Sequence, residues 1–227
     1  MDTNHDWIVE RTGIHERRHI DPGDGNTTAV MGYKAAKQAL ERADVDKDDI
    51  DLIVFATLSP DYYFPGCGVQ VQEMLEMETC PALDVRNQCS GFIYGLSVAD
   101  QFIKTGMYKT VLLIGSENHS GGLDMTTRGR NVSVIFGDGA GAAVLQQTED
   151  TNHAVLSTHL HSQGKFAKEL SLTSPSTLYW VDAIMEDSPM ENPPYYPYMN
   201  GQFVFKNAVV RFAEVITEGL KANQLSP

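Results

Sequence analysis

The residues with the clearest capacity for chemistry surround Cys89. Residues 82–85 form a short apolar run that predicts a buried strand. A polar turn, Arg86-Asn87-Gln88, leads to Cys89-Ser90-Gly91. Phe92, Ile93, Tyr94, Leu96, Val98, Ala99, Phe102 and Ile103 then make the chain apolar nearly all round, which predicts a buried helix. Gly106 suits the C′ position that ends it. Cys89 therefore stands where a strand hands over to a helix N-terminus. Unpaired amide N–H groups and the positive end of the helix dipole gather there, and both favour thiolate over thiol. The same amides suit an oxyanion formed beside a nucleophile. Two readings follow from these residues alone: a nucleophile for acyl transfer, or a small apolar side chain packed at a tight turn.

Other residues offer weaker chemistry. Trp7 precedes a basic, turn-like segment with Arg11, Arg17 and Arg18. That pairing suits stacking on a planar ligand, or simply Trp7 packing onto the core. Residues 58–68, LSPDYYFPGCG, form an aromatic loop of the kind that carries function or meets a partner. Residues 137–141, GDGAG, follow residues 132–136. Their G-x-G-x-G spacing does not match the dinucleotide fingerprint, so we read a tight crossover with close backbone packing and no nucleotide site.

Composition narrows the classes. The 227 residues carry a net charge of −13, which argues against nucleic acid as partner. Cys67, Cys80 and Cys89 lack metal-ligand spacing and are too few for a disulfide framework, so no metal site is expected and a reducing, cytoplasmic compartment is. No apolar run reaches a membrane span, and MDTNHDW has no signal-peptide pattern.

The elements that must position these residues follow in order. Asp2 to Asn4 cap a helical turn around Trp7. A helix is predicted over 27–43 with Val30, Tyr33, Ala36, Leu40 and Ala43 inward, then a buried strand over 52–57. A helix over 69–77 leads to the Cys89 strand, and a second buried strand over 110–115 follows the central helix. Two βα units flanking Cys89 indicate an α/β layered fold. A polar and basic loop spans 124–131, and 142–147 reads as strand. Composition changes near 151: a strand is expected over 154–161, an irregular stretch over 162–199, and a helix over 202–223 with Val209, Phe212, Val215, Ile216 and Leu220 inward. The closing Leu225-Ser226-Pro227 reads as the start of a further helix cut short.

DWIVERTGI, CSGFIYGLSVADQFIKTG, FGDGAGAAVL and STHLHSQG together resemble the β-ketoacyl-acyl carrier protein synthase III family, along essentially the whole chain. The resemblance implies the α/β thiolase-like layered fold, incomplete here, with residues 1–150 as the N-terminal half and 151–227 as the beginning of the C-terminal half. It implies Cys89 as the residue acylated by an acyl-CoA, with no further cofactor. Trp7, Arg11 and Thr12 fall on positions that hold the coenzyme A adenine and phosphates. Arg130 joins them when counted back from Phe136, whereas matching TTRG selects Arg128. Phe64 and Phe136 resemble acyl-pocket residues, with Phe64 reaching across a homodimer, or else serve in packing. Phe205 and Lys206 resemble a pantetheine contact and a carrier-docking residue.

No HQAN motif and no GNTS-like motif occurs downstream of Cys89, where the family carries them, and its opening G-x-G-x-Y-x-P strand has no match either. The expectation is an internal fragment of a synthase that condenses acyl-CoA with malonyl-acyl carrier protein and so initiates fatty acid synthesis. The fragment alone would manage slow self-acylation at most. A related synthase using longer acyl-CoA, its pocket reshaped by residues 178–198, and a non-catalytic subunit are the rival readings.

Overall fold

The computed structural model describes residues 1–21, 23–150, 153–173 and 196–227. Packing divides them into two compact units. One comprises residues 18–118 and 138–160; the other comprises residues 1–17, 119–137 and 161–227.

The first unit is built on a four-stranded sheet. Its strands are β1 (Leu52–Ala56), β2 (Ala82–Val85), β3 (Thr110–Glu117) and β4 (Gly139–Gln146), ordered β2-β1-β3-β4. β1 pairs in parallel with β2 and β3, with Ile53 opposite Ala82 and Leu112. β4 runs antiparallel to β3. LIVFA and TVLLI are apolar without alternation because both faces of these strands are covered. Ile53, Phe55, Leu112 and Ile114 meet α2 (Thr28–Ala43) and α3 (Cys67–Met74) on one face. Leu52, Val54, Val111 and Leu113 meet α4 (Gly91–Lys104) on the other.

Both large helices cross the sheet at a glycine. A Cβ on Gly32 of α2 would fall 2.6 Å from the Phe55 ring, and one on Gly95 of α4 would fall 2.7 Å from Leu113. Thr27 caps α2 by accepting from the Val30 N–H. α4 ends in a Schellman motif. Gly106, at φ +73°, donates its N–H to Ile103 C=O while Met107 N–H bonds Phe102 C=O.

The second unit holds α1 (His5–Thr12), α5 (Arg130–Ser133), the two-stranded β5 (Leu170–Ser171) and β6 (Tyr198–Met199), and α6 (Gly201–Ala222). Asn4 caps α1 by accepting from Trp7 N–H, and Gly13 closes it in the left-handed region.

Several expectations need correction. β2 is an edge strand and only partly buried, with Leu83 exposed, because β1 pairs it on one side alone. α4 is buried only where it meets the sheet; Ile93 points away and is exposed. α2 buries Ala29, Gly32, Ala36 and Leu40, whereas Val30 is half-buried and Ala43 is exposed. The inward stripe is rotated because Gly32 permits the close approach. α3 begins at Cys67 instead of residue 69, since Asp84 caps it from the neighbouring β2. Residues 137–141 are no tight crossover: Gly139 and Gly141 open β4, and a Cβ on either would meet nothing within 4 Å.

Residues 154–161 form no strand; Thr158 Oγ1–H instead donates to Ser97 Oγ on α4. α6 matches its predicted span, but Val209, Phe212 and Ile216 are exposed among the described residues. Most of the segment 178–198, expected to reshape the pocket, lies outside the described residues.

Candidate functional site

Cys89 lies in the turn between β2 and α4, as its neighbours dictate. Gly91 N–H is spent on Gln88 C=O, and Tyr94 N–H bonds Ser90 C=O as the helix begins. Ser90, at the N-cap position, makes no side-chain cap. The first turn of the 14-residue α4 therefore directs backbone donors toward the region of Cys89. Cys89 is exposed and lines a cavity of about 300 Å³. Phe92, Gly115 and Glu117 form part of its wall, and Gly139 and Gly141, lacking side chains, leave it open on the β4 side. The arrangement offers a small, accessible chamber around a sulfur at a helix N-terminus. Its chemistry suits attack on a carbonyl small enough to enter.

Glu117 ties this chamber to the loop that follows β1. Its carboxylate accepts from Leu58 N–H and Ser59 Oγ–H, both at 2.7 Å, and Ser59 Oγ accepts from Asn118 N–H at 2.9 Å. Phe64 of that loop is 82% exposed.

In the other unit, Trp7, Arg11 and Arg130 gather although 119 positions separate Arg11 from Arg130 in sequence. The Arg11 guanidinium lies 4.5 Å from the Trp7 ring centroid, and that of Arg130 lies 5.1 Å from it. Arg130 Nη1–H also donates to Asp2 C=O at 2.9 Å. Arg128 is committed elsewhere: its Nε–H donates to Asp124, and its guanidinium lies 5.4 Å from the Tyr196 ring centroid. Of the two arginines in the polar loop, the geometry sets Arg130 against Trp7. Thr12 turns its hydroxyl back onto Ile8 C=O and accepts from Ile14 N–H, so its present work is to shape the end of α1.

The Phe136 ring packs 5.2 Å from that of His119, and Phe205 on α6 is exposed. Among the described residues no cluster of His, Cys, Asp or Glu is placed to hold a metal ion, and no helix is long and apolar enough to cross a membrane.

Reading the sequence missed three acidic residues that shape these regions: Asp84, Asp124 and Glu117. Asp84 stands out as the one charge in an apolar strand. Asp124 is four residues before Arg128, the spacing of a helical ion pair. Buried Asp124 accepts from Thr126 N–H, Thr126 Oγ1–H and Arg128 Nε–H. Desolvation opposes its ionisation, but the hydrogen bonds from Thr126 and Arg128, with the Arg128 charge, outweigh it and hold the carboxyl below its ordinary value. Nothing in the local sequence singles out Glu117, whose partners come from a different loop.

Comparison with known proteins decides the lineage. Residues 83–164 match the family model for 3-oxoacyl-[acyl-carrier-protein] synthase III. The β-ketoacyl-[acyl-carrier-protein] synthase III of Aliivibrio fischeri is 44% identical over 225 residues, covering 99% of this chain and 66% of the relative. The chain belongs to the β-ketoacyl-acyl carrier protein synthase III family.

Its fold is the α/β thiolase-like fold of the family, in part. The synthase III crystal structure from Aquifex aeolicus superposes with a TM-score of 0.86 at 36% identity, covering 100% of this chain and 65% of that one. The synthase III from Thermus thermophilus gives the same TM-score at 31% identity, with 66% of its length covered. The chain thus spans 66% of the curated synthase III relative and similar shares of the solved ones.

Proposed function

We propose that Cys89 is the acyl-accepting nucleophile of a decarboxylative condensing enzyme that joins an acyl-CoA to malonyl-acyl carrier protein at the start of fatty acid synthesis. The observation that carries this reading is Cys89 itself, exposed in a chamber of about 300 Å³ at the N-terminus of α4. Family membership supplies the substrates: acyl-CoA for the first step and malonyl-acyl carrier protein for the second. The Cys89 thiolate attacks the thioester carbonyl, its own N–H helps hold the tetrahedral oxyanion, and coenzyme A leaves as the thiol after taking a proton. Malonyl-acyl carrier protein then loses carbon dioxide, and its carbanion displaces the sulfur to give the 3-oxoacyl product.

Trp7, Arg11 and Arg130 suit the adenine and phosphates of coenzyme A: an indole face for the base and two guanidinium groups for the anions. Thr12 is assigned to the same site, Phe205 to the pantetheine arm, and Phe64 and Phe136 to the acyl pocket. Phe64, exposed on its loop, fits the reading in which it reaches a partner in a cytoplasmic homodimer. Residues 1–150 act as the nucleophile-bearing thiolase-like half and residues 151–227 as the beginning of the second. For these 227 residues by themselves the proposed step is acylation of Cys89.

Intact mass after mixing with acetyl-CoA or octanoyl-CoA tests this. The expected result is an acyl-sized gain that disappears in Cys89→Ala. A gain that survives in Cys89→Ala, or no gain with either acyl-CoA, overturns the assignment.

A further inference from the structure

The geometry points to Asp124 as the positioning residue that presents Arg130 to the nucleotide end of coenzyme A. The inference rests on the coenzyme A reading of the Trp7 corner and adds a residue that does not itself touch the ligand.

Asp124 fixes residues 124–133 from three directions. Its carboxylate takes Thr126 N–H at 3.0 Å and Thr126 Oγ1–H at 2.7 Å, closing the turn. The same carboxylate pairs with Arg128, so the first arginine of the loop is withdrawn from the Trp7 corner. Its main-chain carbonyl accepts from Ser133 Oγ–H at 2.7 Å, which ties down α5. Gly129 lies so close to that carbonyl that a Cβ there would fall 1.8 Å from the oxygen. Between these fixed points Arg130 is turned toward Trp7 and Asp2. Asp2 N–H in turn donates to Thr127 Oγ1 at 3.0 Å, so the loop and the N-terminal segment hold each other.

The buried carboxylate thus discriminates between two arginines two positions apart. One is spent as its counter-ion; the other stands at the Trp7 corner, 3.8 Å from the exposed Asp2 carboxylate, where a ligand anion would compete for it. Asp124→Asn keeps the volume but sets an amide N–H₂ or a neutral oxygen where Arg128 needs an anionic acceptor. Arg128 is then released and the loop that carries Arg130 loses its anchor.

The test is calorimetric titration of the full chain with adenosine 3′,5′-bisphosphate, the nucleotide end of coenzyme A. Asp124→Asn is expected to weaken binding about tenfold, and Arg128→Gln several-fold in the same direction. Two further readouts separate positioning from general loss of structure. In a Trp180→Phe background, the emission of Trp7 shifts in Asp124→Asn as Arg130 moves from its ring. The iodoacetamide labelling rate of Cys89, in the other compact unit, stays at the wild-type value. Should Asp124→Asn fail to fold, Arg128→Gln carries the test from the exposed side of the pair.

Wild-type affinity in both variants overturns the role of Asp124 and leaves the coenzyme A reading standing. Absence of binding by the wild-type chain overturns that reading and the inference with it.

Discussion

Cys67 and Cys89 both sit at helix N-termini on the same sheet, yet their surroundings oppose each other. Cys67 is the first residue of α3, and its N–H donates to Asp84 at 2.7 Å. It is fully buried among Ile53, Phe55 and Val71. Desolvation, followed by the nearby charges of Asp61, Asp84 and Glu117, pushes its thiol up to about 11. Cys89 precedes α4 by two residues and opens onto a cavity. The contrast teaches that a helix dipole alone makes no nucleophile. A partial charge of about half a unit is easily outweighed by burial and by carboxylates at short range.

The sharpest way to break this comparison is chemical labelling. At pH 8 about one Cys67 thiol in a thousand is ionised, and it is out of reach of solvent. Iodoacetamide is therefore expected to label Cys89 at least ~100-fold faster than Cys67 in the native protein, read by peptide mass mapping. Comparable rates at the two positions would mean that the contrast does not hold in solution.

A smaller effect comes from Asp84, which caps α3 from outside the helix. Its carboxylate takes the N–H groups of Cys67 and Gly68, while Gly66 at the N-cap position offers no side chain. Asp84→Ala leaves both amides without that acceptor and is expected to cost about 1–3 kcal/mol. Urea unfolding that shows no change in midpoint would remove Asp84 from the account of why Cys67 is held where it is.

A third effect, confined to the alkaline end, is a pH dependence of stability. A folded-state thiol raised above its unfolded value contributes stability that is present below the unfolded value and is lost as pH rises through the folded one. For Cys67 the window runs from about 9 to about 11. The urea midpoint should fall across that window, and fall less in Cys67→Ala. Identical slopes in the two proteins would show that Cys67 ionisation is uncoupled from folding.

Much of the first unit was legible along the chain because its determinants are local. LIVFA and TVLLIG could only be strands covered on both faces, and the Cys89 turn followed from a strand, a polar triplet and an apolar helix in succession. Gly106 ended α4 where a left-handed residue was needed. Errors arose where a distant element decided. α3 starts two residues early because Asp84 belongs to another strand. The stripe on α2 turns because Gly32 lets Phe55 approach. The apolar stripe of α6 was readable, but a stripe does not specify what covers it.

The order of residues by itself determined the α/β class, the place of Cys89 at a strand-to-helix turn, and the motifs that mark the family. Tertiary structure alone decided that Arg130 and not Arg128 meets Trp7, since Asp124 neutralises one of two chemically identical side chains. It also decided which cysteine is exposed. Local sequence sets backbone conformation through sterics and hydrogen bonds between near neighbours. Charge pairing and burial depend on groups that meet only when the chain has folded.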